Sequence, residues 1–359
     1  MAIDQSEVEQ HSPGELDVLR IKSDFPILSR TVHDKPLVFL DSAASSQKPR
    51  SVLQAMDTYY ETINANVHRA AYTLAEEATN AMEAARSKVA AFIGATDANE
   101  VVFTKNATES INLIARSWGV ANLEPGDAIL LTHLEHHANI VPWQQLAAQR
   151  ELEIRWIPLT ADCQLDLSNL DSLLDGVKIV SLTSMSNVVG TITPVRAIAD
   201  AAHAAGAVVA VDACQSVPHL PTDVHQLGAD FLSFSGHKLL GPTGIGVLWA
   251  RKELLAAMPP FLGGGGMILD VRLDGFVAAE APHKFEAGTP PIAEIIGLGA
   301  AIDYLNNLGM EAVRQHEMAL TAFALEHLSN RFGDRISLYG PQSAELRGGA
   351  MSFAFDEIH

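Results

Sequence analysis

Short apolar runs alternate with helix-like segments through the middle of the chain, and this alternation limits the possible folds more than any other feature. The strand-like runs lie between residues 100 and 249 and read EVVFT, DAILLT, VKIVSLT, AVVAV, DFLSFS and GVLW. Near-continuous apolar strands that are separated by helices are typical of a mostly parallel sheet covered on both faces. The pattern therefore predicts an α/β fold.

The last seventy or so residues have a different character. Two long amphipathic helices are predicted over Ala293–Leu308 and Met310–Phe332, with Gly309 between them, and the run GGAMSFAF then reads as an edge strand. This change predicts a large domain over residues 31–289. A small α+β domain would combine residues 1–30 with residues 290–359.

Composition excludes several classes of protein. The 359 residues include 24 Lys and Arg against 43 Asp and Glu, which gives a net charge of −19. Such an acidic chain disfavours binding to nucleic acid or to an anionic membrane surface. The first thirty residues lack the pattern of a signal peptide, and no segment is apolar enough to span a bilayer. We therefore expect a cytoplasmic enzyme.

Polar residues follow the predicted strands, at the edge of a parallel sheet where ligands bind. They are Thr108, His136, His137, Asn187, Asp212, Gln215, Ser235, His237 and Lys238. Ionisable groups that converge in this way suit a cofactor with a phosphate, a protonatable ring nitrogen and a carbonyl carbon. Pyridoxal 5′-phosphate has all three.

Lys238 and Asp212 are the central candidates. A lysine directly after a buried strand loses water and presents a nucleophilic amine, which suits condensation with the cofactor aldehyde. Asp212 ends its own strand, where a carboxylate would keep the pyridine nitrogen protonated. Taken singly, Lys238 would more often be a surface lysine and Asp212 a helix cap. The Gly-rich sequence after Lys238 and the spacing of one βα unit between the two favour the catalytic interpretation.

Thr108 is the candidate for the phosphate end of the site. It opens a predicted helix, where free N–H groups and the helix dipole favour an anion, although it also reads as a helix cap. Ser235 and His237 would add donors to the same phosphate. The run Gly263–Gly266 lacks the context of a phosphate-binding loop and is interpreted as a flexible border of the site.

The remaining candidates surround the ring. His136 is expected to lie flat against it and to move protons. The pair His136–His137 has no third ligand at useful spacing, so no metal is predicted. Gln215 and Asn187 are expected to donate hydrogen bonds to the ring hydroxyl, unless either only holds a turn.

Eight segments resemble the class V aminotransferase family of fold-type I pyridoxal phosphate enzymes, and within it the chain is most similar to the group II cysteine desulfurases. They read LDSAASSQKP, NVHRAAYTLA, FTKNATESINLIA, EHHANIVPWQ, SNVVGTITPV, VDACQSVPH, SGHKLLGPTGIGVL and FEAGTPP. The resemblance implies a large domain with a mostly parallel seven-stranded sheet and a small α+β domain that is incomplete at its C-terminal end. It implies a homodimer that converts L-cysteine to L-alanine and passes the sulfur, as a persulfide, to an acceptor protein for iron–sulfur cluster assembly.

The same resemblance implies a role for each site residue. Lys238 would bind the cofactor and move the α-proton, and His136 would stack on the ring. Asp212 would pair with the pyridinium, Gln215 with the ring hydroxyl, and Asn187 with a ring oxygen or the substrate carboxylate. The phosphate would be held by Ala107, Thr108, Ser235 and His237, and by Thr289 from the neighbouring subunit.

The chain departs from the family pattern at its end. Relatives carry the sulfur-accepting cysteine and an arginine for the substrate carboxylate on a loop after the GGAMSFAF strand, whereas this sequence stops at His359. About fifty further residues are expected, from typical domain layout. Cys163, expected in an exposed turn, and Cys214, expected as a small buried filler, are not placed to substitute. The sequence either stops short of a longer product or is naturally shortened, and as it stands we predict cofactor binding with nearly absent desulfuration.

Three other functions compete with this interpretation. A selenocysteine lyase or another class V enzyme would share Lys238 and Asp212. A catalytically impaired relative would form the dimer without turnover. A nucleotide-binding protein is disfavoured, because no GxGxxG or GxxxxGK[ST] motif opens a helix.

Overall fold

A seven-stranded sheet forms the centre of the computed structural model, which describes residues 16–68, 71–356 and 358. The strands within these residues are β1 (Thr31–Val32), β2 (Lys35–Pro36), β3 (Val101–Thr104), β4 (Ala128–Thr132), β5 (Glu153–Ile157), β6 (Val177–Thr183), β7 (Val208–Asp212), β8 (Phe231–Ser235), β9 (Gly246–Ala250), β10 (Ile268–Arg272), β11 (Gly275–Ala278), β12 (Ile336–Tyr339) and β13 (Ser352–Phe355).

The order across the central sheet is β3-β9-β8-β7-β6-β4-β5. β9 runs antiparallel to both of its neighbours, whereas all other adjacent pairs are parallel. The predicted mostly parallel seven-stranded sheet is confirmed. The direction of β9 follows from its short connection to β8, because a parallel neighbour would need a crossover of a dozen or more residues.

The strands are apolar along their whole length because helices cover both faces of the sheet. In β4, Ala128 and Leu130 belong to one buried apolar cluster, and Ile129 and Leu131 belong to the cluster on the opposite face. Successive side chains of a strand point to opposite faces, so a strand with two covered faces needs an apolar residue at every position.

The helices are α1 (Val18–Ser23), α2 (Arg50–Thr58), α3 (Thr73–Phe92), α4 (Ala107–Leu113), α5 (Val120–Asn122), α6 (Val141–Arg150), α7 (Leu170–Leu173), α8 (Val195–Ala204), α9 (Val224–Leu227), α10 (Lys252–Ala257), α11 (Ile292–Leu308) and α12 (Met310–Phe332). A π-helical turn, Ile114–Gly119, joins α4 to α5. After α8, Gly206 has a φ of 83°, a conformation that ends a helix readily at glycine because it strains other residues.

The C-terminal part contains the two predicted long helices and a small antiparallel pair, β12–β13. α11 packs against α2 and α3, and α12 packs on β12. The boundary between large and small domains, at residue 289, stays a prediction. Among the described helices, none combines the length and the apolar character that crossing a membrane requires.

Candidate active site

A cavity of about 510 Å³ lies at the carboxyl ends of the parallel strands. Nine of the ten predicted cofactor-binding residues line it, namely Ala107, Thr108, His136, Asn187, Asp212, Gln215, Ser235, His237 and Lys238. Thr289 does not. The edge of the sheet that the sequence singled out therefore does bring its polar residues together.

The antiparallel strand β9 explains how distant segments meet at one end of this cavity. Gly246, its first residue, pairs with Thr104 at the end of β3 and with Ser235 at the end of β8. A Cβ atom on Gly246 would lie 2.4 Å from the Cα atom of Asn106. Only glycine lets the start of α4 approach this closely, so Gly246 shapes the floor of the site.

The start of α4 forms the expected anion-binding end. The helix begins at Ala107, and its cap is Asn106, whose side chain accepts a hydrogen bond of 2.9 Å from the N–H of Glu109. The capping role considered for Thr108 is therefore wrong. The N–H of Ala107 donates to Oγ of Ser235 at 2.9 Å, which ties the helix start to the end of β8. N–H groups and hydroxyls at a helix start favour a phosphate.

Asp212 lines the same cavity at the end of β7. Its side chain is buried and accepts a hydrogen bond of 3.0 Å from the N–H of Cys214. Lys238 follows β8 in a short helical turn and is half-buried. The site therefore combines a carboxylate withdrawn from water with an amine that faces the same cavity.

His136 is exposed to the cavity as an uncharged ring at neutral pH. Partial burial lowers its pKa, the charges of Lys238 and His137 add to this effect, and Asp212 opposes it. Nδ1 accepts a hydrogen bond of 3.1 Å from the N–H of Ala138, so the proton of the neutral ring resides on Nε2. Burial and the charges of Lys238 and Lys48 also lower the pKa of His237.

Residues 43–48, which precede α2, lie against the turn that carries Lys238. No role was predicted for this segment from the sequence. The carbonyl oxygen of His237 accepts hydrogen bonds from the N–H and hydroxyl of Ser46, at 3.0 and 2.9 Å, and from Nζ of Lys48 at 3.0 Å. Burial lowers the pKa of Lys48 to about 8. Nε2 of Gln215 donates to the carbonyl oxygen of Ala43 at 2.8 Å. The SAASSQK run in the sequence was the available signal.

Both cysteines differ from expectation. Cys214 lines the cavity instead of filling the core, with Sγ 4.0 Å from Oγ of Ser235. Burial, together with the negative charge of Asp212, raises the pKa of its thiol, so it is a poor nucleophile. Cys163 is half-buried rather than exposed, because Thr191 folds over it and donates to its carbonyl oxygen at 2.7 Å.

Thr289 lies in a second cavity, of about 410 Å³. Its neighbours there include His68, His283 and Gly266, together with Leu269 of β10. β10 and β11 form an antiparallel hairpin, of which Leu269 is 70% exposed. Thr289 therefore belongs to a separate surface of the same chain.

The chain matches the family model "Aminotransferase class-V" over residues 38–359. The chain belongs to the class V aminotransferase family. A probable cysteine desulfurase of Streptomyces coelicolor is 54% identical over 97% of this chain and 84% of that protein. Two solved cysteine desulfurases are each 38% identical and cover 95% of this chain and 83% of theirs. The apo enzyme of Thermococcus onnurineus has a TM-score of 0.89, and CsdA of Escherichia coli, in its S-sulfonic acid form, has 0.84.

Enzymes of this family depend on pyridoxal 5′-phosphate, and the donor set of the first cavity fits this cofactor. The start of α4 and the hydroxyl of Ser235 suit the phosphate, the buried Asp212 suits a protonated ring nitrogen, and Lys238 suits the aldehyde. The volume lies within the usual range for a small-molecule site. Among the described residues, no three His, Cys, Asp or Glu side chains are grouped to hold a metal ion.

Proposed function

We propose that this chain carries the cofactor site of a pyridoxal phosphate-dependent cysteine desulfurase, an enzyme that converts L-cysteine to L-alanine. One observation carries the proposal: Lys238, Asp212, His136 and the start of α4 line a single cavity, in a chain whose relatives at about half identity are cysteine desulfurases. When bound, pyridoxal phosphate supplies a conjugated ring that draws electrons from the α-carbon of an amino acid.

Each residue then has a physical task. Lys238 would hold the cofactor through Nζ and, once the substrate amine has displaced it, its free amine would accept the proton from the α-carbon of the substrate. Asp212 keeps a proton on the ring nitrogen, since its carboxylate is withdrawn from water and has a single backbone partner in Cys214. His136 packs as a neutral ring against the cofactor, and Nε2 holds the proton that it can donate.

The phosphate end of the site fixes the cofactor in place. The N–H groups at the start of α4 and the hydroxyls of Thr108 and Ser235 hold the phosphate, with His237 as a further donor. Gln215 and Asn187 line the same cavity and orient the ring and the substrate carboxylate. These contacts set the position from which Lys238 reaches the α-proton.

The proposal includes a homodimer. Thr289 lies outside the first cavity, so its proposed contact with a phosphate requires the cofactor of a neighbouring subunit. The adjacent hairpin exposes apolar side chains, with Leu273 fully exposed and Phe276 58% exposed, and such side chains suit a protein contact. Thr289 and Leu269 of the hairpin both line the second cavity, which lends support to a second copy at this surface.

The sulfur is proposed to leave as a persulfide for iron–sulfur cluster assembly in the cytoplasm. Cys163 and Cys214 are both free thiols, which fits a reducing compartment. The raised pKa of Cys214 makes it unsuited to accept sulfur, and Cys163 does not line the first cavity, so neither of these cysteines is proposed as the acceptor thiol.

The visible absorption spectrum of the purified protein tests this function. Wild type incubated with pyridoxal phosphate is expected to show the visible band of a lysine-bound cofactor, and Lys238→Ala is expected to lose it. Lys252→Ala removes an exposed lysine on α10 and serves as the matched control. Alanine formed from L-cysteine and from L-selenocysteine then separates a desulfurase from a lyase, and a colourless wild type would refute the cofactor assignment.

A further inference from the structure

Glu135, directly before His136, is a buried carboxyl group between two strand ends. Its Oε1 atom accepts hydrogen bonds from the hydroxyl of Thr132 at 2.6 Å and from the N–H of Thr183 at 2.9 Å. Thr132 ends β4 and Thr183 ends β6, so one oxygen atom joins adjacent strands at the edge where the cavity lies.

The second oxygen atom of Glu135 accepts a hydrogen bond of 2.7 Å from Nδ2 of Asn139, which is fully buried. The amide of Asn139 has a fixed orientation, because its Oδ1 atom accepts from Nε1 of Trp143 at 3.1 Å and from the hydroxyl of Ser181 at 2.6 Å. Both oxygen atoms of Glu135 are therefore hydrogen-bonded, and the amide of Asn139, which donates to the second one, has a fixed orientation.

These contacts reach the catalytic groups through the backbone. His136 follows Glu135 in the chain, so fixing Glu135 fixes the direction from which the His136 ring enters the cavity. Thr183 pairs with Asp212 in the parallel register of β6 and β7, and its hydroxyl lies 3.4 Å from the carbonyl oxygen of Asp212. The positions of His136 and Asp212 therefore both depend on the carboxyl group of Glu135.

We propose that Glu135 is a positioning residue. Its hydrogen bonds fix the His136 ring and the end of β7 relative to each other, so that both are placed to meet the cofactor. This inference rests on the proposed function, since it takes His136 and Asp212 as the groups that meet the ring. Glu135 does not line the cavity and acts only through its neighbours.

An exchange of side chains tests the proposal, because the orientation of Asn139 is fixed. In Glu135→Gln the new Nε2 atom faces Nδ2 of Asn139, so two donors meet and one buried hydrogen bond is lost. In Asn139→Asp two carboxyl groups meet. The double variant E135Q/N139D restores the pairing. One oxygen atom of its new carboxyl group accepts from the new amide, while the other still accepts from Trp143 and Ser181.

The readouts are affinity for pyridoxal phosphate and the visible circular dichroism per bound cofactor, which depends on how the ring is held. Both are measured above about pH 8, where Glu135 is ionised and accepts on both oxygen atoms. Each single variant is expected to bind the cofactor about tenfold more weakly, because a buried group is left unpaired. Both are also expected to show an altered visible signal. The double variant is expected to recover both properties, and Glu124→Gln, at an exposed carboxyl group, is the control.

The outcomes separate this inference from the function beneath it. A wild type that takes up no pyridoxal phosphate would overturn the function. A wild type that binds, with Glu135→Gln equal to it in both readouts, overturns only the positioning role. A double variant that is no better than the single variants, whether folded or not, also overturns it, because the exchange restores the hydrogen bonds.

Discussion

Nζ of Lys48 donates a hydrogen bond of 3.0 Å to the carbonyl oxygen of His237, the residue directly before Lys238. A charged amine from the N-terminal part thus holds the peptide that presents the candidate catalytic lysine. Ser46 donates to the same oxygen atom, and its hydroxyl accepts from the N–H of Leu240 at 2.9 Å. The turn that carries Lys238 is therefore clamped on both sides.

The burial of Lys48 predicts that the free energy of unfolding depends on pH. Burial lowers the pKa of Lys48 to about 8 in the folded protein, below the value of about 10.4 in an unfolded chain. Between these values the unfolded chain binds the extra proton, so folding becomes more favourable as pH rises. Relative to Lys48→Met, wild type is expected to gain about 1 kcal/mol from about pH 8 to about pH 10, allowing for the partial exposure of Lys48.

Denaturant unfolding of both proteins across this range measures the difference. Lys252→Met, at an exposed lysine, is expected to show no such trend. A difference between wild type and Lys48→Met that stays constant or falls with pH would contradict the prediction.

Glu135 is expected to show the opposite trend. Burial raises its pKa to about 8, with a contribution from the negative charge of Asp212, whereas an unfolded glutamate titrates at about 4.3. The folded protein therefore holds the extra proton between these values and loses stability as pH rises. From about pH 5 to about pH 8, wild type is expected to lose on the order of 3 kcal/mol relative to Glu135→Gln. Unfolding curves at each pH measure the difference in the free energy of unfolding between wild type and Glu135→Gln. A difference that does not change with pH would contradict the prediction.

Gly246→Ala is expected to damage the phosphate end of the site. The new methyl group would lie 2.4 Å from the backbone of Asn106, so the start of α4 must move. We expect a loss of about 2 kcal/mol or more in the free energy of unfolding and weaker cofactor binding. Gly349→Ala, which meets open space, is the matched control. Equal behaviour of the two variants would argue against the close approach.

Thr289→Val tests the contact across subunits. If Thr289 donates to the phosphate of a neighbouring subunit, the variant binds pyridoxal phosphate about fivefold more weakly and binds pyridoxal, which lacks the phosphate, with unchanged affinity. Titrations followed by absorbance measure both affinities, and sedimentation equilibrium checks that the oligomer is intact. Equal losses for the two ligands would show that Thr289 has only a structural role.

Local patterns in the sequence predicted the central sheet and most of the cavity lining. The apolar runs mark buried strands because both faces are covered, as Ile129 and Leu130 illustrate by packing in opposite clusters. The carboxyl ends of parallel strands meet at one edge, so the sequence alone predicts that Asp212 and Lys238 lie close together. The direction of β9 was not predicted, although the short connection from Ser235 to Gly246 indicates it.

Contacts between segments that are far apart in the sequence cannot be predicted from local sequence patterns. Lys48 precedes His237 by 189 residues, and nothing in either local pattern indicates that they touch. Glu135 stands in a quoted motif beside His136, but its side chain points away from the cavity into a network that only the packed strands create. Cys214 was expected in the core but lines the cavity, because strand periodicity no longer applies after Asp212 ends β7.

The placement of β9 also orders events during synthesis. This strand is the last of the central sheet to leave the ribosome, yet it is inserted between β3, the first, and β8. The phosphate cradle, built around Gly246, has no counterpart in a nascent chain that ends before residue 250. We therefore expect pyridoxal phosphate to bind only after β9 has been synthesised and inserted into the sheet.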